Sequence, residues 1–283
     1  MTLVRKLTQC LPVDFPIEGR KRNTIFGLVD PIYRRLQDHD TIKTEFGTIE
    51  LNYAHEPERL LSYAFYNLLR HYEKSDLGQY IMTTVKRGST FVDVGANLGF
   101  YSLLAHRQGA DTVVVEPEPS HGAYLERNTS VYGRVLRVAF SDGPGELPLY
   151  YLPSNTGATT LVQNPGWLKG DKTVPVTSFS EAARTGKLGD PARISLIKVD
   201  VEGHEIPAIR GLQDFLAAGH RPQLWCEVRG DRTAHSPGTF REVSKMLAQF
   251  GYEPKEMKKG HILPAGEAEW ATRVVFDLLF VAR

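Results

Sequence analysis

The stretch that decides the fold is Phe91-Val92-Asp93-Val94-Gly95-Ala96-Asn97-Leu98-Gly99-Phe100-Tyr101-Ser102. After Gly88, the short apolar run from Thr90 to Val94 reads as a strand buried on both faces, the first of a parallel sheet. It enters a turn carrying Gly95 and Gly99, with Asn97 between them, and then an apolar helix start. Glycine at those positions lets a ligand approach the backbone, because a Cβ would collide with it or forbid the dihedrals the turn needs. This is the form of a nucleotide-cofactor turn. Asp93 then discriminates between cofactors: a dinucleotide site places backbone amides on a pyrophosphate, and a carboxylate there would repel that anion. A cationic amino-acid tail suits the position better.

Working outward, Val113-Val114-Val115-Glu116 brings a second carboxylate to the end of the next strand, about 20 residues on, where such folds hold a ribose diol. NAD and adenosylmethionine both carry that diol. Ser141-Asp142, just past the third strand, sits at the same sheet edge and offers an acceptor for an adenine amino group. A glycine turn alone is a weak signal, and Glu116 or Asp142 alone reads as a solvated carboxylate or a helix cap. Together, three strand ends converge on one nucleoside.

Runs like the first recur at Thr112 to Val115, Val135 to Ala139, Ile194 to Val199 and Gln223 to Val228, with helical stretches between them. This is the rhythm of a Rossmann-like, doubly wound α/β fold. Gly251 to Pro254 and Val274 to Val281 would finish it as an antiparallel pair, giving a mostly parallel seven-stranded sheet. Glu146 to Tyr151 and Val174 to Thr177 would pair as an edge hairpin, and Ser154 to Gly170 between them is a candidate lid. Before the sheet, Glu45 to Tyr53 alternates as a hairpin would, and Glu56 to Met82 follows helical spacing. The expected division is an N-terminal α/β appendage over residues 1–80 and a cofactor-binding domain over 81–283. Aromatic residues of the appendage, Tyr53, Tyr63, Phe65, Tyr66 and Tyr72, would form a homodimer face or close over an acceptor, and both readings stay open.

The chain has 283 residues with 34 Lys and Arg against 33 Asp and Glu, so no basic excess points to nucleic acid. Cys10 and Cys226 have no partners at metal-ligand spacing, which fits a reducing cytoplasm. No apolar run of signal-peptide length opens the chain, and none reaches the ~18 residues of a membrane span. The expectation is a cytoplasmic protein without an integral membrane segment.

The sequence resembles the FkbM-type methyltransferase family, within the Rossmann-like methyltransferases that use S-adenosylmethionine. The resemblance runs from about Tyr72 to Tyr252 and rests on Asp93 to Gly99, Glu116-Pro117, Asn155-Thr156-Gly157 and, above all, Ile197-Lys198-Val199-Asp200-Val201-Glu202-Gly203-His204-Glu205. It implies O-methylation of a hydroxyl on a saccharide, glycolipid, or glycosylated or polyketide natural product. The acceptor would be a small molecule or an oligosaccharide. Met1 to about His71 falls outside the resemblance.

Methyl transfer is an in-line displacement, so the protein must hold an acceptor oxygen close to and collinear with the breaking bond. An alcohol also needs help to lose its proton. His204, Asp200 and Glu227 are the catalytic candidates, with His204 the first choice for base; its bland reading is a hydrogen bond to the next helix. The cofactor set is Asp93, Gly95, Asn97, Gly99, Glu116, Ser141, Asp142 and Asp200. Asp200, Glu202 and Glu227 offer oxygen ligands suited to Mg²⁺, though hydrogen bonds to the methionine amino group explain strand-end carboxylates equally well. Asn155 and Thr156 are placed for substrate hydroxyls, and Lys198, unexpected in a buried strand, reads as a salt-bridge partner of a neighbouring carboxylate. The rival readings are a cofactor-binding protein without turnover and a methyltransferase acting on RNA or protein, for which no basic groove is present.

Overall fold

A computed structural model describes residues 39–52, 55–152, 155–163, 166–231, 239–258, 261–263 and 266–283. A hairpin of β1 (His39–Thr44) and β2 (Gly47–Asn52) leads into α1 (Glu56–Lys74) and α2 (Asp76–Thr84). There follow β3 (Thr90–Val94), α3 (Phe100–Arg107), β4 (Asp111–Val115), α4 (Pro119–Arg127), α5 (Thr129–Tyr132) and β5 (Arg134–Leu136). An insertion supplies β6 (Ala139–Phe140), β7 (Gly145–Leu152), β8 (Asn155–Thr160) and β9 (Leu168–Thr177). The main sheet resumes after α6 (Phe179–Arg184) with β10 (Ile194–Val199), α7 (Glu205–Arg210), α8 (Gln213–Ala217) and β11 (Gln223–Arg229). It closes with α9 (Phe240–Ala248), β12 (Tyr252–Lys258), β13 (His261–Leu263), α10 (Glu267–Trp270) and β14 (Val275–Ala282).

The main sheet runs β13-β12-β14-β11-β10-β3-β4-β5. β5, β4, β3, β10 and β11 pair in parallel, and β14 enters antiparallel between β11 and β12. The expected seven strands are therefore joined by an eighth, β13, which lies antiparallel on the β12 edge. The expected third strand, Val135 to Ala139, is divided. β5 leaves the main sheet at Leu136, whose carbonyl accepts from Glu116 N at 3.1 Å, and Ala139-Phe140 pairs instead with β9 in a second sheet ordered β6-β9-β7-β8. The expected pairing of β7 with β9 holds, with Glu146 opposite Pro175. Asn155 to Thr160, read as part of a lid loop, is instead the edge strand β8 on β7, in keeping with its β-branched threonines. The expected first hairpin begins earlier, at His39, and turns at Glu45-Phe46.

Alternation along the strands divides the core in two. Val92, Ile197, Leu224 and Phe280 pack against helices α6 to α9, whereas Phe91, Leu196, Trp225 and Leu279 meet α1, α2, α3 and the first hairpin. That hairpin is tied down by polar contacts. Asn128 accepts from Glu50 N at 2.7 Å and donates to Glu50 O at 2.9 Å, completing the β2 edge like a strand. Glu58, 1% exposed, accepts from Arg127 at 2.7 and 2.6 Å and from Asn52 N at 2.5 Å. Between α1 and α2, Ser75 Oγ donates to the Tyr72 carbonyl and accepts from Gly78 N, ending one helix and capping the next. No helix among the described residues is long and apolar enough to cross a membrane.

The β3 turn is the tightest crossing in the sheet. Gly95 has φ +76°, and a Cβ there would lie 1.8 Å from the Asp200 carbonyl oxygen, a backbone atom that cannot give way. Gly95→Ala is expected to destabilise the protein by about 3 kcal/mol or more, read by thermal and urea denaturation. Gly143, where an added Cβ meets nothing within 4 Å, is the control; Gly143→Ala should stay within about 0.5 kcal/mol of the parent. Equal behaviour of the two variants would refute the close-crossing argument.

Candidate active site

The carboxyl ends of β3, β4 and β10 open into a cleft of about 350 Å³, which is where open α/β sheets bind ligands. Gly95, Ala96, Asn97 and Leu98 form its floor, and Asn97 adopts a left-handed φ of 53° that asparagine tolerates better than most residues. Gly99 does not line the cleft. It has φ +74°, and a Cβ there would meet the Tyr132 ring at 2.7 Å, so packing behind the start of α3 demands this glycine.

Glu116, 4% exposed, lines the cleft at the end of β4. Its two oxygens accept from Asn97 N at 2.7 Å and Glu118 N at 2.8 Å. Burial pushes its pKa up to about 8, with those two amides working the other way. Next to it Pro117, Val138, Phe140, Leu149 and Leu161 make an apolar slot between the main sheet and the second sheet. Thr160 ties this second sheet across the cleft, donating from Oγ1 to the Glu202 carbonyl at 2.7 Å.

Asp93 lies beneath the turn and does not face the cleft. It is 1% exposed, accepts from Ser102 Oγ at 2.7 Å and stands 3.2 Å from the Lys198 ammonium. Lys198 is its direct register partner in β10. The same ammonium donates to the Gly95 carbonyl at 2.9 Å, lies 3.4 Å from Asp200 Oδ2 and sits 5.7 Å from the Tyr101 ring centroid. Burial disfavours this charge, but Asp200 and Asp93 outweigh it and hold the pKa above the ordinary lysine value.

Asp200, Glu202 and His204 all line the cleft. Burial and Asp200 raise the Glu202 pKa against the pull of Arg229 and Lys198. His204 Nε2 is 3.0 Å from Ser141 Oγ; burial lowers its pKa, opposed by Asp142, so the ring is neutral at pH 7. Ser141 therefore reaches the cleft only through His204, and Asp142 lies outside it, half-exposed and 3.6 Å from Arg210. Glu227 also stands outside, opposite Asp277 in the β11–β14 pair. Burial together with Asp200, Glu202, Glu205 and Asp277 pushes its pKa far above the carboxylate range, so it carries a proton at pH 7.

Among the described residues no three His, Cys, Asp or Glu side chains gather as a metal-ligand set, and Asp200, Glu202 and Glu227 do not form one. Asp200 is engaged by Lys198 and Glu227 stands outside the cleft, so the three do not converge as an oxygen-ligand set for Mg²⁺. Asn155 and Thr156 lie on β8, with side chains outside the described part; so too do the side chain of Tyr63 and all of Tyr53, Ser154 and residues 1–38, Cys10 included.

Other residues complete the walls. Tyr72, which the sequence offered as a dimer face or an acceptor cover, reaches the cleft from the end of α1, stacked on Phe100 with ring centroids 4.9 Å apart and edge-on to Tyr101 at 5.0 Å. Thr159 and Thr160, expected in a lid loop, enter from β8, and Leu161 follows them. Their place at the cleft depends on the Thr160 contact with Glu202, remote in sequence.

Strand order and a cleft at the strand ends define a Rossmann-like α/β protein. The model of the methyltransferase FkbM domain matches residues 93–254, more than half of the chain, and the chain belongs to that family of methyltransferases. It is 26% identical over 217 residues to methyltransferase sdnD of Sordaria araneosa, covering 58% of this chain and 84% of that protein. It is 25% identical over 146 residues to hexuronic acid methyltransferase AglP of Haloferax volcanii, covering 50% of this chain and 58% of the relative. It is 29% identical over 160 residues to 31-O-demethyl-FK506 methyltransferase FkbM of Streptomyces tacrolimicus, covering 46% and 62%. The chain thus spans less than two thirds of the length of the latter two.

Because both Glu116 oxygens accept from backbone amides, a glutamine there would turn its NH₂ toward one of those donors. Glu116→Gln is expected to cost about 1–3 kcal/mol in denaturant unfolding. A variant as stable as the parent would show that the two amide contacts are not maintained in solution.

Proposed function

We propose that this protein is an S-adenosylmethionine-dependent O-methyltransferase whose acceptor is a hydroxyl of a saccharide, glycolipid, or glycosylated or polyketide natural product. The observation that carries the reading is the Glu116 carboxyl group, fixed by two backbone amides beside an apolar slot at the ends of β3 and β4. A ribose diol hydrogen-bonds to such a carboxyl group, an adenine ring fills such a slot, and the cleft volume falls within the ordinary range for small-ligand sites. Bound adenosylmethionine would supply an electrophilic methyl group. The acceptor class is supported by the relatives, named for a hexuronic acid and for 31-O-demethyl-FK506.

His204 is the group we assign to receive the acceptor proton. It is neutral through burial, borders the cleft, and is oriented by Ser141 as a base is by a third group. Glu227, protonated and outside the cleft, is not suited to that role. Tyr72 brings the N-terminal helix to the cleft wall, which favours an acceptor-covering role for residues 1–80.

Calorimetry should show micromolar binding of adenosylmethionine and adenosylhomocysteine that weakens at least about tenfold in Glu116→Ala. Absence of binding by the wild type would sink the proposal. With labelled methyl donor and a panel of sugar and glycoside acceptors, His204→Ala should lose about 10²–10³-fold in rate. For the parent, a base with a lowered pKa gives a rate that rises with pH below about 6.5 and is level above it. Near-parental turnover by His204→Ala across that range would remove His204 as the base.

A further inference from the structure

Lys198 is 3% exposed near the carboxyl end of a central strand, where the ordinary residue is aliphatic. At the end of the sheet its ammonium donates to the Gly95 carbonyl at 2.9 Å and lies within ion-pair distance of Asp93 Oδ1 at 3.2 Å and Asp200 Oδ2 at 3.4 Å. One cation thus faces two carboxylates. Asp93 is sealed, its side chain 1% exposed and its second oxygen taken by Ser102. Asp200 keeps 35% of its side chain exposed and borders the cleft. The excess negative charge of the triad is therefore displayed at Asp200 alone, next to a turn whose carbonyl is held by the same ammonium.

A single carboxylate at that place, beside a glycine turn, is complementary to an ammonium group borne by a cofactor tail. We propose that Lys198 is a positioning residue for the amino-acid tail of the methyl donor: it neutralises Asp93, fixes the Gly95 carbonyl, and orients Asp200 toward the tail ammonium. This rests on the adenosylmethionine reading above. Of the two carboxylates that the sequence offers for the tail, it assigns the contact to Asp200 and withdraws it from Asp93. Lys198 itself touches no reacting atom.

Two probes isolate the tail: adenosylhomocysteine carries it, and methylthioadenosine has the same nucleoside without it. Titration calorimetry of the full chain would compare the parent with Lys198→Met, Lys198→Arg, Asp200→Asn and the double variant Asp93→Asn/Lys198→Met. The double variant removes the buried cation together with its sealed counter-charge, so it keeps the protein folded where Lys198→Met alone leaves an unpaired carboxylate. Folding is checked by thermal midpoint. The expected result is that Asp200→Asn and the folded double variant weaken adenosylhomocysteine at least about tenfold while methylthioadenosine stays within about twofold. Lys198→Arg, which keeps the charge, should recover part of the loss.

Equal weakening of both probes in a folded double variant, or no weakening of either, would overturn the inference and leave Lys198 a structural ion pair. Selective loss in the double variant without loss in Asp200→Asn would also overturn it, since the tail would then be held elsewhere. A parent that binds methylthioadenosine and adenosylhomocysteine equally keeps the nucleoside reading and defeats only the tail assignment. A parent that binds neither defeats both.

Discussion

The arrangement of the whole site depends on one buried ammonium. Lys198 lies between Asp93 on β3 and Asp200 at the end of β10 and holds the Gly95 carbonyl as well. Removing Lys198 would leave the buried Asp93 carboxylate without its counter-ion, a larger loss than the net contribution of the intact pair. The constraint explains why the turn after β3 has one shape. Gly95 must pass against the Asp200 backbone, its carbonyl must point at the ammonium, and Asn97 must then take a left-handed conformation for its amide to reach Glu116.

Around that centre the cleft is assembled from parts far apart in the chain. The second sheet covers one side, contributing Phe140, Leu149 and Leu161 to an apolar slot and tethering itself through Thr160 to the Glu202 carbonyl. The end of α1 covers another with Tyr72, braced on Phe100 and Tyr101. Helix α1 is itself locked by the buried Glu58–Arg127 contact, so the segment before the sheet shares one core with it. The match to the methyltransferase FkbM domain covers residues 93–254, whereas Tyr72 comes from before them.

The electrostatics of the strand ends separates carboxylates that look alike in sequence. Asp93 is cancelled, Asp200 is exposed to the cleft, Glu116 is held by amides, and Glu227 is protonated. Sequence reasoning grouped Asp200, Glu202 and Glu227 as Mg²⁺ ligands because all three follow central strands. It had no means of seeing that Glu227 would stand opposite Asp277 and outside the cleft, or that burial and neighbouring carboxylates would raise its pKa.

Local signals were readable from the chain alone: apolar runs with glycine punctuation marked β3, β4, β10 and β11, and the turn at Gly95 and the carboxyl group of Glu116 both line the cleft. These features depend on spacing over a few residues, which the backbone's periodicity imposes directly. Other features were decided only by tertiary structure. The register that sets Lys198 opposite Asp93, the departure of Ala139-Phe140 into a second sheet, the pairing of Ser141 with His204 and the arrival of Tyr72 at the cleft all join residues remote in sequence. Their partners are selected by packing and by the need to pair buried charges; a lysine in a buried strand marks itself, as Lys198 does, but neither requirement names the partner at any single position of the chain.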